Sequence, residues 1–181
     1  GTITPHRGQI TLTDLSNNLT GTSLELVAAL SGTITPHRGN VTITNSDYTL
    51  AELKTLNEAI IGDIVLPDSN TPLRGTSSDI AAVFSGTVTT HTGHVTITNS
   101  NYNVSELKDI NNATTGNIIL NFFDTDLEGI SSDIAQALAG TINHSGSVTI
   151  TNSDYTLAEL KTINDGTTGT ITFNDSSKSL T

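Results

Sequence analysis

Val41-Thr-Ile-Thr-Asn-Ser-Asp-Tyr-Thr-Leu-Ala-Glu-Leu-Lys-Thr55 is the stretch whose reading decides the fold. It returns letter for letter as Val148 to Thr162, and with substitutions as Val95 to Asp109. Val41-Thr42-Ile43-Thr44 alternates β-branched apolar and hydroxyl residues at period two, the pattern of a strand with one buried face. Val41 and Ile43 are expected to face the core, and Thr42 and Thr44 the open side. Asn45-Ser46-Asp47 then breaks the strand, because these side chains compete for local backbone hydrogen bonds. Thr49-Leu-Ala-Glu52 is a capping box that opens a helix, repeated as Asn103-Val-Ser-Glu106 and Thr156-Leu-Ala-Glu159. Behind it Leu50, Leu53, Leu56 and Ile60 fall at helical spacing, answered by Leu157, Leu160 and Ile163. A strand-then-helix phrase written three times makes this a repeat protein.

Aligned on glycines, the chain alternates two kinds of repeat unit. The first kind runs over 39–61, 93–115 and 146–168, each opening on Gly-x-Val-Thr-Ile-Thr-Asn. The second runs over 8–31, 62–85 and 116–139, and its last copy starts at Gly169 and breaks off at Thr181. Asp63-Ile-Val-Leu66 and Asn117-Ile-Ile-Leu120 are its strands, whose nearly continuous apolar runs predict fuller burial. Ser77-Ser-Asp-Ile80 and Ser131-Ser-Asp-Ile134 open its helices with serine at the cap, and Leu24 to Leu30 plays that part in the first copy. A glycine follows each helix, where a left-handed C-cap is expected. Short inserts (32–38, 86–92, 140–145) precede each unit of the first kind, a like one (1–7) precedes the opening unit 8–31, and they read as an extra strand and tight turn. Whether they pair with the main sheet or form a ribbon beside it is open. Merged with their inserts, the units are 1–31, 32–61, 62–85, 86–115, 116–139, 140–168 and a truncated 169–181, all in one domain. The cycle is 54 residues, shortening to 53 in the last copy, in the range of solenoids and arrays.

Short connectors between strand and helix imply parallel strands with right-handed crossovers. The expected fold is α/β, a right-handed β/α solenoid of two layers like a leucine-rich repeat. Seven principal strands, from 8–14 to 169–174, form one parallel sheet on one face, and six helices cover the other. The Leu-x-x-Leu-x-Leu-x-x-Asn signature of leucine-rich repeats is missing. The Leu-Lys-x-Ile-Asn-x-Ala-Thr-Thr-Gly of 107–116 and the Gly-Thr-Ile-Thr of 169–172 carry a different likeness. Over essentially all 181 residues the chain resembles the tandem β/α repeats of very large predicted surface or secreted proteins of cyanobacteria and other marine bacteria. That resemblance implies a structural or adhesive spacer outside the cell, and no activity.

Composition narrows the functions further. The chain holds no Cys, Met or Trp, so thiolate metal sites and disulfides are excluded. Its formal charge of −11 repels phosphate backbones, which argues against nucleic acid. No apolar run approaches ~20 residues, so no membrane-inserting helix is expected. Starting at Gly1 and stopping in mid-repeat, the chain reads as an excised piece of a longer protein or an engineered array.

His6, His37, His91 and His144 occupy equivalent turns and could form a column for a transition metal. Two strands per cycle put successive imidazoles ~10 Å apart, too far to share one ion, so copied turn residues are the favoured reading. His94 adds a second imidazole to one cycle only. Asn45-Ser46-Asp47, Asn99-Ser100-Asn101 and Asn152-Ser153-Asp154 form a polar ladder that could bind calcium through hard oxygens. A calcium β-roll nonapeptide is absent and Asn101 replaces an aspartate, so a ladder that satisfies turn amides is preferred. Tyr48, Tyr102 and Tyr155 are read as closing the core edge. Thr42/Thr44, Thr96/Thr98 and Thr149/Thr151 could present a threonine array to ice, but Asp63/Val65 and Asn117/Ile119 interrupt it. No catalytic, cofactor or metal residue is assigned and the chain is not read as an enzyme, because nearly every polar residue is copied and no phosphate loop or nucleophile elbow occurs. The function expected is a non-enzymatic structural or adhesive module at the cell surface, with calcium, ice or protein binding as the alternative. Uncapped terminal strands at 8–14 and 169–174 predict end-to-end self-association.

Overall fold

A computed structural model describes residues 14–31, 36–66, 69–86, 89–141 and 143–174. The insert at 1–7 with His6, nearly all of the strand expected at 8–14, most of the insert at 32–38 and the last residues of the truncated unit lie outside that set. In chain order the elements are β1 (Leu19–Gly21), α1 (Ser23–Leu30), β2 (Val41–Ile43), α2 (Leu50–Ala59), β3 (Ile64–Val65) and β4 (Leu73–Gly75). There follow α3 (Ser77–Ser85), β5 (Val95–Ile97), α4 (Val104–Ala113), β6 (Ile118–Leu120), β7 (Leu127–Gly129), α5 (Ser131–Ala139), β8 (Val148–Ile150), α6 (Leu157–Gly166) and β9 (Ile171–Phe173). The fold is α/β, and each of its strand pairs is parallel.

The repeat phrase folds as its pattern requires. Val41, Ile43, Val95, Ile97, Val148 and Ile150 are fully buried, and the threonines between them are not. Leu53, Leu56, Leu107, Ile110 and Ile163 sit inside, each buried apolar side chain contributing roughly 1.5–3 kcal/mol. All three predicted capping boxes form, and Thr22 with Glu25 adds a fourth at α1. In β3 and β6 burial alternates rather than running through, since Val65 and Ile119 are only partly covered.

The single continuous sheet does not form. Nine described strands make three separate three-stranded sheets, ordered β1-β2-β3, β4-β5-β6 and β7-β8-β9. Besides β1, two strands are extra to those expected, β4 and β7, which lie between the strand and the helix read in 62–85 and 116–139. Each is only three residues long and carries a charged middle residue, Arg74 or Glu128, so no apolar run announces it. Pairing with Val95–Ile97 or Val148–Ile150 makes it a strand. The insert explains why β6 and β7 do not join. Ile118 bridges Thr141 in parallel, its N–H donates to Gly140 O at 2.9 Å, and the Asn143 amide exchanges bonds with the Leu120 backbone at 3.0 and 2.9 Å. The far edge of β6 is thus taken by Gly140, Thr141 and Asn143, and β7 starts a new sheet. Gly86 O and Thr89 Oγ1 accept in the same way from Ile64 and Leu66. The described residues of the inserts at 86–92 and 140–145 thus bond to the main sheets.

Two compact parts are recognisable, Gly1–Asp68 with Gly86–Thr89 and Ser69–Ser85 with Thr90–Thr181. In the first, α1 packs on α2. In the second, α3, α4, α5 and α6 pack each on the next, so the helix layer is continuous even where the strands change sheet. Lys108 Nζ to Asp133 Oδ1, 2.6 Å, spans α4 and α5.

The glycines act by closeness and not by left-handed capping, for no described residue has a positive φ. A Cβ on Gly116 would lie 2.0 Å from Gly93 O, and one on Gly169 1.9 Å from Gly146 O. The backbones of successive passes touch there, which leaves no room for a methyl group. Serine is not the N-cap either. Ser77 and Ser131 are the first residues inside their helices, and Thr76 takes the capping role at α3 by accepting from Asp79 N at 3.2 Å.

Candidate functional site

Two side-chain clusters recur, and both join one strand–helix pass to the next. The first is built on the serine that begins α1, α3 or α5. Ser23, Ser77 and Ser131 are at most 1 % exposed. Being at a helix start, each has a backbone N–H without an intrahelical partner. The strand-ending asparagine of the following pass supplies it: Ser23 N donates to Asn45 Oδ1 at 2.7 Å, Ser77 N to Asn99 Oδ1 at 2.8 Å, and Ser131 N to Asn152 Oδ1 at 2.8 Å. The asparagine Nδ2 returns a bond of 3.1 Å to the serine Oγ in all three. Each serine hydroxyl then donates to the capping-box glutamate of the next helix, at 3.2 Å to Glu52, 2.7 Å to Glu106 and 2.9 Å to Glu159.

One carboxylate oxygen therefore serves two helices. Glu52 Oε2 takes the Thr49 N–H at 2.8 Å and the Thr49 hydroxyl at 3.0 Å besides Ser23. Hydrogen bonds to the ionised form favour it, and the Glu159 carboxyl is held below the usual carboxylate range, first by the Thr156 backbone. The asparagine also donates to the third ladder residue: Asp47 at 2.6 Å, Asn101 at 2.9 Å and Asp154 at 2.6 Å. Asn101 keeps the geometry of the two aspartates without their charge. The polar ladder is consumed in tying amides and hydroxyls together. A shallow recess of ≈ 270 Å³ is lined by Thr22, Ser23, Asn45, Asp47 and Glu52, and among the described residues no group of three or more acidic, histidine or cysteine side chains could hold a metal ion.

The second cluster centres on the histidines, which the sequence presents as copied turn residues and the fold buries. His37, His91 and His144 are at most 2 % exposed. Each lies on a parallel bridge, to Ile60, Thr114 or Thr167, so the backbone that crosses between passes carries the ring inward. Their ring nitrogens differ in what they meet. His144 Nδ1 is 2.9 Å from Thr167 Oγ1, and Nε2 is 2.9 Å from Thr125 O. Both ring nitrogens of His37 and of His91 are buried with no hydrogen-bond partner. Burial lowers His91 to about 4. Burial also lowers His144, against the opposing pull of the Thr125 carbonyl and Asp126. No described histidine belongs to a group of three or more histidine, cysteine or acidic side chains that could hold a metal ion.

Tyr48, Tyr102 and Tyr155 are buried as expected. Tyr102 donates to Phe122 O at 2.6 Å, and Tyr155 packs on the Phe173 ring with centroids 5.0 Å apart. The outward threonines do not build a regular array. Register gives the rows Thr20–Thr42–Val65, Arg74–Thr96–Ile119 and Glu128–Thr149–Thr172. The link from serine to asparagine was missed in the sequence, although its spacing of 22, 22 and 21 residues was there to be read. No described helix is long and apolar enough to cross a membrane. No family model matches the chain, and no curated protein matches it significantly.

Proposed function

We propose that this chain is a non-enzymatic structural or adhesive repeat module of a large surface protein, working outside the cell. In that reading the strand–helix passes continue as a right-handed solenoid. The observation that carries it is the serine–asparagine–glutamate node, formed three times with the same partners. Its polar groups are spent on joining passes, whereas a reaction centre keeps groups aimed at a substrate. The net charge of −11 supports a surface that does not engage nucleic acid.

End-to-end association fits the same reading. In β9 Ile171 is only partly covered and Phe173 is exposed, while their counterparts Ile118 and Leu120 in β6 are buried. Leu157, which opens α6, is 59 % exposed, against 8 % for Val104 in α4.

Thermal unfolding with and without millimolar calcium, run beside sedimentation of the same samples, tests the proposal. A scaffold gives the same melting curve in both buffers and a sedimentation coefficient that rises with protein concentration. A stabilisation of several degrees by calcium, reversed by EDTA, would replace the scaffold with a calcium-binding module acting through the ladder. A strictly monomeric species at high concentration would remove the association.

A further inference from the structure

Of the groups that the node does not use, the buried histidines are the most unequal. His91 and His144 occupy the same place in successive passes of one compact part, four residues ahead of β5 and β8. Each backbone carbonyl holds the next pass, His91 O accepting from Thr115 N at 2.8 Å and His144 O from Thr168 N at 3.1 Å. Their rings differ in what could receive a second proton.

Around His144 the acceptors for a fully protonated ring are in place. Nε2–H points to the Thr125 carbonyl. Thr167 Oγ1 can accept from Nδ1–H while its own proton goes to Gly146 O at 3.3 Å and its other lone pair takes Gly169 N at 3.0 Å. Asp126 acts on this ring favourably, and Asp165 lines the ≈ 150 Å³ recess beside it.

Around His91 there is no such provision. The counterpart hydroxyl, Thr114 Oγ1, donates to the His91 carbonyl at 3.0 Å and accepts from Gly116 N at 3.0 Å. The ring lies against Phe84 of α3, with centroids 5.3 Å apart, and neither nitrogen has a partner. The described ionisable groups on the elements around it are Asp79 of α3, Arg74 of β4, Glu106, Lys108 and Asp109 of α4, and His94 on its own segment. None of them acts on the ring, whose behaviour is set by burial alone. An imidazolium there would be a buried charge with nothing to pair with, and such a group is exposed before it is charged. His37 shares the unpartnered nitrogens, but the Asp14 carboxylate interacts with it, so the contrast is drawn between the other two.

We propose that His91 is an acid-release point: its protonation opens the pass that it anchors, while the pass anchored by His144 stays closed at the same acidity. The device asks for no ligand other than the proton. It would loosen one chosen place in a molecule whose repeats are otherwise alike.

Amide hydrogen exchange of the full chain between about pH 7 and about pH 4.5, corrected for intrinsic rates, tests this, with the imidazole titrations followed by NMR. The Thr115 amide reports on His91 and the Thr168 amide on His144. A ring that titrates at 6.5 when exposed and at about 4 when buried raises the opening constant at Thr115 about 60-fold over that range. Thr168 rises less. Thr167→Val should pass the acid sensitivity on to Thr168, and His91→Phe should remove it from Thr115. If His91→Phe does not fold, the two wild-type amides still decide. A His91 ring that titrates near 6.5 in the folded protein, or equal loss of protection at Thr115 and Thr168, overturns the proposal.

Discussion

Gly116→Ala is the perturbation that isolates the close approach of successive passes. An alanine Cβ at that position would stand 2.0 Å from Gly93 O, 2.6 Å from Gly93 C and 2.9 Å from Thr92 O. All three are backbone atoms, which cannot rotate away as a side-chain tip would. Real Cβ atoms essentially never come closer than 3.0 Å, so the two passes must part by at least 3.0 − 2.0 = 1.0 Å. That movement breaks the bonds beside the glycine, Thr115 N to His91 O at 2.8 Å and Thr114 Oγ1 to His91 O at 3.0 Å. Two buried hydrogen bonds at about 1 kcal/mol each add to an overpacking cost of about 2 kcal/mol. Alanine restricts the unfolded chain and returns about 0.7 kcal/mol. The net expectation is a loss of about 3 kcal/mol. Gly129→Ala is the control, since its nearest neighbour would be a side-chain carbon at an ordinary 3.6 Å. It should leave stability unchanged or raise it by up to about 1 kcal/mol. Urea unfolding followed by circular dichroism measures both. If Gly116→Ala falls within about 0.5 kcal/mol of wild type, or if the two variants lose equally, the contact is not what excludes a side chain there.

Two further outcomes concern the node. Asn99→Ala leaves the Ser77 N–H buried without an acceptor and removes a bond to its hydroxyl, which should cost about 2 kcal/mol in the same urea titration; an unchanged midpoint would show that the asparagine is dispensable. Glu159 titrates below its ordinary value, so its stabilising effect is full above about 4.5 and fades as the pH falls through its lowered folded value. Glu159→Gln should therefore flatten the acid limb of stability below about pH 4.5 and leave the higher limb due to His91 in place, whereas an acid limb identical to wild type would exclude the carboxylate.

Periodicity made the repeat legible. Val41 and Ile43 announce a buried strand face, and Thr49 with Glu52 announces a helix start, because both signals are local and lie within a few residues. The strands β4 and β7 were not legible, since Leu73-Arg-Gly75 and Leu127-Glu-Gly129 become strands only beside a partner more than twenty residues onward. The division into three sheets follows from the same long reach, as it depends on which segment takes the far edge of β6. Histidine burial was hidden for another reason. Pro36 and Arg38 flank His37 with turn-like chemistry, and only the bridge to Ile60 turns the ring inward. The asparagine ladder was seen, yet its serine partners looked like caps for their own helices.

The links between passes also bear on how the chain reaches its folded state. The hydrogen bonds that tie one pass to the next span from 19 residues, Thr125 to His144, to 29 residues, Ser23 to Glu52. Loops of that length close at little entropic cost, and contacts of short sequence separation form early. A chain emerging gradually, from a ribosome or through a secretion pore, could complete each pass as soon as the next asparagine and glutamate appeared. Growth in length would then add folding steps in series without slowing any one of them, since a pass closes on the one before it.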